Sequence, residues 1–161
     1  MTALHLLRHA HAGDPEAWDG PDASRPLSDK GRAQSERLGR LLADRHFRPD
    51  LLLTSPKLRA LQTAQIVADR LGVPVVVEDR LGGPLDEARL EAILADHGDP
   101  STPLLVGHDP DFTELVEALS GAPNVPMRKG ALARIDVERP VRSGGGILRW
   151  LVPPDLLKPE R

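Results

Sequence analysis

The sequence predicts an α/β domain built on a mostly parallel sheet with an antiparallel edge strand. Three observations carry this. Short apolar runs alternate with stretches of helical period along most of the chain. Capping residues punctuate the boundaries between them. Two strand-like runs near the end are joined by a short Gly-rich link, which calls for antiparallel pairing.

The elements follow in order. Ala3 to Leu7 is a short apolar run suited to a buried strand. Residues Ala12 to Leu27 are rich in Pro, Gly and Asp and include Trp18, which reads as a long ordered loop or lid. Ser28 is placed to cap a helix over Asp29 to Arg45, whose face runs through Gln34, Leu38, Leu41, Leu42 and Arg45. Asp50 to Thr54 is a second strand. Ser55-Pro56 reads as an N-cap with Pro at the first helical position. Ala60, Ala64, Val67, Ala68 and Leu71 then keep helical spacing, and Gly72 sits where the helix should close. The β-branched run Val73 to Val77 is a third strand. A helix over Asp86 to Asp96 closes at Gly98. Leu104 to Val106 is another strand, and Asp109 or Pro110 opens a helix to Leu119. Ala131 to Val137 and Ile147 to Val152 supply the last strands, with the glycines at 144–146 between them.

With 161 residues the chain is long enough for one domain, set at 1–153, with 154–161 expected as a loose tail. There is no cysteine, which excludes a disulfide framework, a thiolate zinc site and the Cys-x5-Arg type of phosphatase. The net charge of −3 gives no reason to expect nucleic acid or an anionic membrane as partner. Aromatic residues at 2% leave no base-stacking platform. No targeting segment or membrane span is visible, so a cytoplasmic location is expected.

Four segments concentrate chemistry, each after an expected strand or at a helix start, where parallel sheets bind ligands. They are Arg8-His9-Ala10-His11, Arg25 to Gly31, Ser55 to Thr63, and Gly107-His108-Asp109-Pro110. Taken singly each is ordinary: Arg25, Lys57 and Arg59 read as solvated side chains, and a lone His after a strand as structural. Together, two histidines and two arginines at one sheet edge make a phosphate pocket. Guanidinium groups grip phosphoryl oxygens in pairs, and an imidazole can serve as nucleophile.

These segments resemble, in order, the motifs of the histidine phosphatase superfamily. Leu7-Arg8-His9-Ala10 looks like its Arg-His-Gly signature, and Arg25-Pro26-Leu27-Ser28-Asp29-Lys30-Gly31 like its Leu-Thr-x-x-Gly stretch. Ser55 to Ala64 resembles its second motif, and Val106-Gly107-His108 its late catalytic His. The short length and the Arg-Pro-Leu segment look most like the SixA-type phosphohistidine phosphatases. The resemblance implies a three-layer α/β/α fold of the phosphoglycerate mutase kind, without a cap insertion. It implies His9 as nucleophile, with Arg8, Arg59 and His108 holding the phosphoryl oxygens, and neither metal nor cofactor.

Two departures matter. Ala10 stands where the family has Gly, so that position must accept a Cβ at negative φ. The family's acid after the third strand has no clear counterpart. Glu78, Asp79, Asp86 and Glu87 are the candidates, and Asp86 is the preferred general acid. An imidazole leaves more easily than an alkoxide, which favours a phosphohistidine protein as substrate over a small phosphorylated metabolite such as a sugar phosphate. A non-catalytic phospho-ligand module is a more remote reading. So is a metal hydrolase using His9-x-His11 with His108 and Asp109, in which Arg8 and Arg59 would crowd the cation.

Overall fold

A computed structural model describes residues 1–159 of the protein. Its strands are β1 (Thr2–Arg8), β2 (Leu51–Thr54), β3 (Val76–Val77), β4 (Pro103–Gly107), β5 (Leu132–Val137) and β6 (Gly146–Val152). Its helices are α1 (Asp29–Asp44), α2 (Leu58–Leu71), α3 (Glu87–Asp96) and α4 (Asp111–Ser120). The strands form one sheet in the order β3-β2-β4-β1-β5-β6. The first four run parallel, β5 is antiparallel to β1, and β6 pairs antiparallel with β5. The antiparallel pairing thus falls at one edge of a mostly parallel sheet, and β5 is its penultimate strand.

Both faces of the sheet are covered. Leu4, Leu6, Leu53 and Leu105 point to one side, against Leu90, Ile93 and Leu94 of α3 and Phe112, Leu115 and Val116 of α4. Their neighbours Leu7, Leu52, Leu104 and Val106 point to the other, against Leu38 and Leu42 of α1 and Ala60, Ala64 and Val67 of α2. Strands buried on both faces read as continuous apolar runs, which is why β1, β2 and β4 were visible in sequence. Each such side chain contributes roughly 1.5–3 kcal/mol on burial.

The caps largely fall where the sequence puts them. Ser28 accepts from Gly31 N–H at 3.1 Å, and Gly72 closes α2 at φ +67°. Three boundaries differ. The second helix starts at Leu58 rather than Pro56, because Ser55 turns its hydroxyl to Lys57 N–H and to His108 instead of capping a helix there. The third strand shrinks to Val76–Val77, since Val73 N–H is still bonded to Ala68 at the end of α2 and Pro74 has no N–H to give. The expected loose tail is docked: Pro154–Leu157 form a 3-10 turn with Pro154 buried, and Leu157 packs against the α1 and α2 cluster. Residues 160 and 161 lie outside the described residues. Between β3 and β4 the chain passes only through a 3-10 turn, Asp79–Gly82, and α3. No helix among the described residues is long and apolar enough to cross a membrane.

Candidate active site

The carboxyl ends of β1, β4 and β2 are neighbours, so the residues that follow them share one edge. Arg8 stands opposite Gly107, and His9 N–H donates to the Gly107 carbonyl at 2.9 Å. His108 comes next in the chain. Its ring lies beside that of His9, with centroids 5.2 Å apart and a tilt of 54°. Gly107 permits this arrangement: a Cβ there would stand 2.6 Å from the ring of Phe112, which packs α4 up under the strand end. On the other flank, Gly130 N–H donates to the carbonyls of Arg8 and His9 and fastens the end of β1.

His9 is 5% exposed. Its Nδ1 lies 2.8 Å from the Ala10 carbonyl oxygen. A carbonyl only accepts, so Nδ1 carries the proton and Nε2 keeps a lone pair. Burial above all, with the charges of Arg59 and Arg8, lowers the ring's pKa to about 3, so it is neutral at physiological pH. Ala10 is wholly buried with Ala12 and Leu27 and has no positive φ, as a residue with a Cβ requires. Its N–H donates to Thr63 Oγ1 at 3.1 Å, and Thr63 in turn donates to the Arg59 carbonyl. Gln62 Oε1 accepts from Leu27 N–H and Gln34 Oε1 from His11 N–H. Thus the polar motif residues of α1 and α2 hold the backbone around the nucleophile candidate.

Arg8, Arg59 and His108 share one feature. Each is held from one side by a protein partner, while a buried nitrogen has none. Arg8 Nη1 donates to the Met127 carbonyl at 2.8 Å and lies 3.4 Å from Asp109 Oδ2. Arg59 Nη1 donates to the Asp22 carbonyl at 2.9 Å and Nη2 to its carboxylate at 3.0 Å. His108 Nε2 is 2.8 Å from Ser55 Oγ. Ser55 Oγ already accepts from Lys57 N–H, so its own proton can go to Nε2, leaving His108 Nδ1 as a donor. Arg8 Nε, Arg59 Nε and His108 Nδ1 are buried without any partner. Burial and the charges of Lys57 and Arg59 lower the His108 pKa to about 3, so its ring is neutral at physiological pH and meets a ligand as a neutral donor.

The surroundings are more basic than the sequence reading allowed. Arg25, read as solvated, is 7% exposed, and Arg59 is 6% exposed. Arg25 Nη1 donates to the Ala12 carbonyl at 2.8 Å. Lys129 is partly buried, and burial together with Arg8, Arg25 and Arg59 lowers its pKa. Trp18, by contrast, is bound within its own loop, its indole N–H donating to Pro21.

Asp86 does not join the site. It is exposed, accepts from Arg89 N–H at 2.8 Å as the N-cap of α3, and makes no hydrogen bond to Arg8, His9, Arg59 or His108. Glu78 is hydrogen-bonded by Arg80 and His97 and not by any of the four residues. Asp109 accepts from Thr113 at the start of α4. His11 is drawn to Ser28, its Nδ1 2.6 Å from the hydroxyl, and not to His9. Among the described residues no three His, Asp or Glu side chains gather in a metal-holding group. Sequence reasoning missed Asp22 and read Ser55 only as an N-cap in its motif; they reach the site from 37 and 53 positions away.

Comparison with known proteins agrees with the geometry. The sequence pattern of the histidine phosphatase superfamily (branch 1) matches residues 4–83. A 2,3-bisphosphoglycerate-dependent phosphoglycerate mutase of Arthrobacter sp. is 29% identical over 90% of this chain and 70% of its own. Other such mutases match over less than half of their length. An uncharacterized protein of Picosynechococcus sp. is 34% identical over 73% of this chain and 72% of its own. The structure of the protein histidine phosphatase SixA complexed with tungstate superposes with a TM-score of 0.82 at 26% identity, covering 98% of this chain and all of that one. Motif order, sheet topology and the histidine pair at the strand ends place this chain in the histidine phosphatase superfamily, among its short SixA-type members.

Proposed function

We propose that the protein is a phosphatase that works through a phosphohistidine on His9 and takes its phosphoryl group from a phosphohistidine side chain of another protein. The observation that carries this reading is the set of unpartnered buried nitrogens on Arg8, Arg59 and His108 beside the neutral, tautomer-fixed His9. A buried N–H without an acceptor costs about 1–3 kcal/mol. Three on adjoining side chains suit a ligand rich in anionic oxygens, and a phosphoryl group has them.

The chemistry follows from the atoms. His9 Nε2 attacks phosphorus in line, and the bond from phosphorus to the leaving nitrogen breaks. That nitrogen keeps the electron pair and takes a proton from solvent. Water then attacks the phosphoenzyme, releasing inorganic phosphate and restoring neutral His9. The transition state spreads charge over the equatorial oxygens, where Arg8, Arg59 and His108 would act. Both carboxylates that touch the site are engaged with arginines. Burial raises the Asp22 pKa, but its bonds to Arg59 and Arg25 outweigh that and hold it below the usual range. It is therefore a poor proton donor, which suits a leaving group as undemanding as imidazole. The short passage from β3 to β4 also supports an open pocket that a protein side chain can enter.

A second reading is a small-molecule phosphomonoesterase. Arg25 and Lys129 favour it, since they could meet another anionic group of a phosphorylated metabolite. The discriminating experiment is turnover of a phosphohistidine peptide against sugar phosphates, with rapid acid-free quench to trap the phosphoenzyme. Faster turnover of phosphohistidine, and no turnover in His9→Ala, is expected. Sugar phosphates turned over far faster would transfer the assignment to the second reading. Full activity in His9→Ala would end both.

A further inference from the structure

We propose that Asp22 is a positioning residue for the phosphoryl-binding Arg59, and that it makes the loop over residues 12–27 a working part of the site. The proposal rests on the reading of Arg59 as a phosphoryl ligand and adds how that ligand is aimed.

A guanidinium is a flat fork with five N–H donors and two useful edges. One edge is the pair of terminal nitrogens, and the other is Nε with the terminal nitrogen beside it. Asp22 takes the first edge with two different acceptors, its backbone carbonyl on Nη1 at 2.9 Å and its carboxylate on Nη2 at 3.0 Å. The second edge, with Nε–H buried and unpartnered, is left over. A ligand with two oxygens side by side can therefore dock on Arg59 without displacing Asp22. The carboxylate acts as a brace behind the guanidinium and does not compete for it.

The brace is itself held in place. Asp22 begins a 3-10 turn, Asp22–Ser24, whose last residue leads directly to Arg25. Arg25 is buried, its Nη1 fixed on the Ala12 carbonyl at 2.8 Å, and its Nε lies 3.4 Å from the second carboxylate oxygen of Asp22. Leu27 N–H is fastened to Gln62 on α2. The loop is thus tied to β1's exit at one end and to α2 at the other, with Asp22 carried across the gap to Arg59. The Asp22 side chain is 56% exposed and that of Arg59 7%, so the brace joins a solvent-facing carboxylate to a buried guanidinium.

The test uses the full chain, tungstate as the oxyanion probe, and turnover of a phosphohistidine peptide. Asp22→Ala should weaken tungstate binding about tenfold and lower kcat/KM by about 10–10²-fold, the scale of a misplaced catalytic group. Asp22→Asn keeps an acceptor oxygen and the turn, and should fall between wild type and Asp22→Ala. The loss should vanish in an Arg59→Ala background, where adding Asp22→Ala changes neither quantity by more than about twofold. Thermal melts of each variant separate loss of fold from loss of aim. Asp22 variants with wild-type tungstate affinity and kcat/KM would overturn the proposal. So would an undiminished Asp22→Ala effect without Arg59, or tighter tungstate binding in Asp22→Ala, which would make Asp22 a competitor. Wild-type protein that binds no tungstate would defeat the phosphatase reading and this proposal together. Wild-type binding with indifferent Asp22 variants would defeat this one alone.

Discussion

Two charged clusters stand at the same end of the sheet and are built on opposite terms. Beyond β3, Arg80 gives Nε and Nη2 to the two oxygens of Glu78 at 2.9 and 2.7 Å, and Nη1 to Asp96 at 2.8 Å. His97 adds a fourth contact to Glu78 at 3.0 Å. All three guanidinium nitrogens of Arg80 are satisfied. Beyond β1 and β4, Arg8, Arg59 and His108 are each braced on one side and unsatisfied on the other. Saturation marks a clamp that holds the 3-10 turn and α3 to the sheet. Unsatisfied buried donors work against folding, so their presence on three adjoining side chains marks a place fitted for something other than folding.

The sharpest way to break this comparison is to remove one member of each cluster. Arg59→Ala should lower turnover by about 10²–10³-fold, as loss of one oxyanion donor does elsewhere, while the melting temperature barely moves. A loss of fold with little change in rate per folded molecule would erase the distinction.

The second test reads the histidines through pH. His9 and His108 are neutral in the fold with pKa values of about 3, against 6.5 in the unfolded chain. Between those values these two rings take up two protons in the unfolded chain that the fold refuses, and His5 and His11, also lowered by burial, act in the same direction. Stability is therefore full above pH 6.5 and declines as pH falls, by about 1.4 kcal/mol per proton for each pH unit. Urea midpoints at pH 7.5 and 5 should show the drop, and His108→Asn should make it shallower. A midpoint unchanged across that range would mean that the rings are not buried neutral.

The smallest expected effect belongs to the saturated cluster. Its Arg80 bonds pull the Glu78 carboxyl down to about 2. Glu78→Gln should cost about 1–3 kcal/mol of stability, seen as a lower urea midpoint, and leave kcat within about twofold. A large loss of kcat in a stably folded Glu78→Gln would move that cluster into the site.

What the sequence made legible follows from the range of each interaction. Strands buried on both faces, the Ser28 cap and the Gly72 terminus are local, and they could be read as written. His9, Arg8, Arg59 and His108 could be placed because strand ends in a parallel sheet converge wherever the strands are found. The contacts of Asp22 and Ser55 were opaque because their partners lie far off in sequence and loops carry no periodicity. Asp86 misled for a related reason: a carboxylate beginning a helix serves as cap as readily as acid, and only the fold shows which hydrogen it accepts. The tail misled because its Pro-rich spelling conceals one apolar side chain, Leu157, that packs on the α1 and α2 cluster.

The bond from His9 Nδ1 to the Ala10 carbonyl has a consequence for regiochemistry. The acceptor is the peptide next door, supplied by the chain itself, so the proton stays on Nδ1 whatever the neighbouring side chains are, as long as the ring keeps this orientation. On the proposed mechanism, of the two isomeric phosphoimidazoles only the one substituted at Nε2 can form. Phosphorus NMR of the trapped intermediate would read that isomer directly, and with it the orientation of a single imidazole ring.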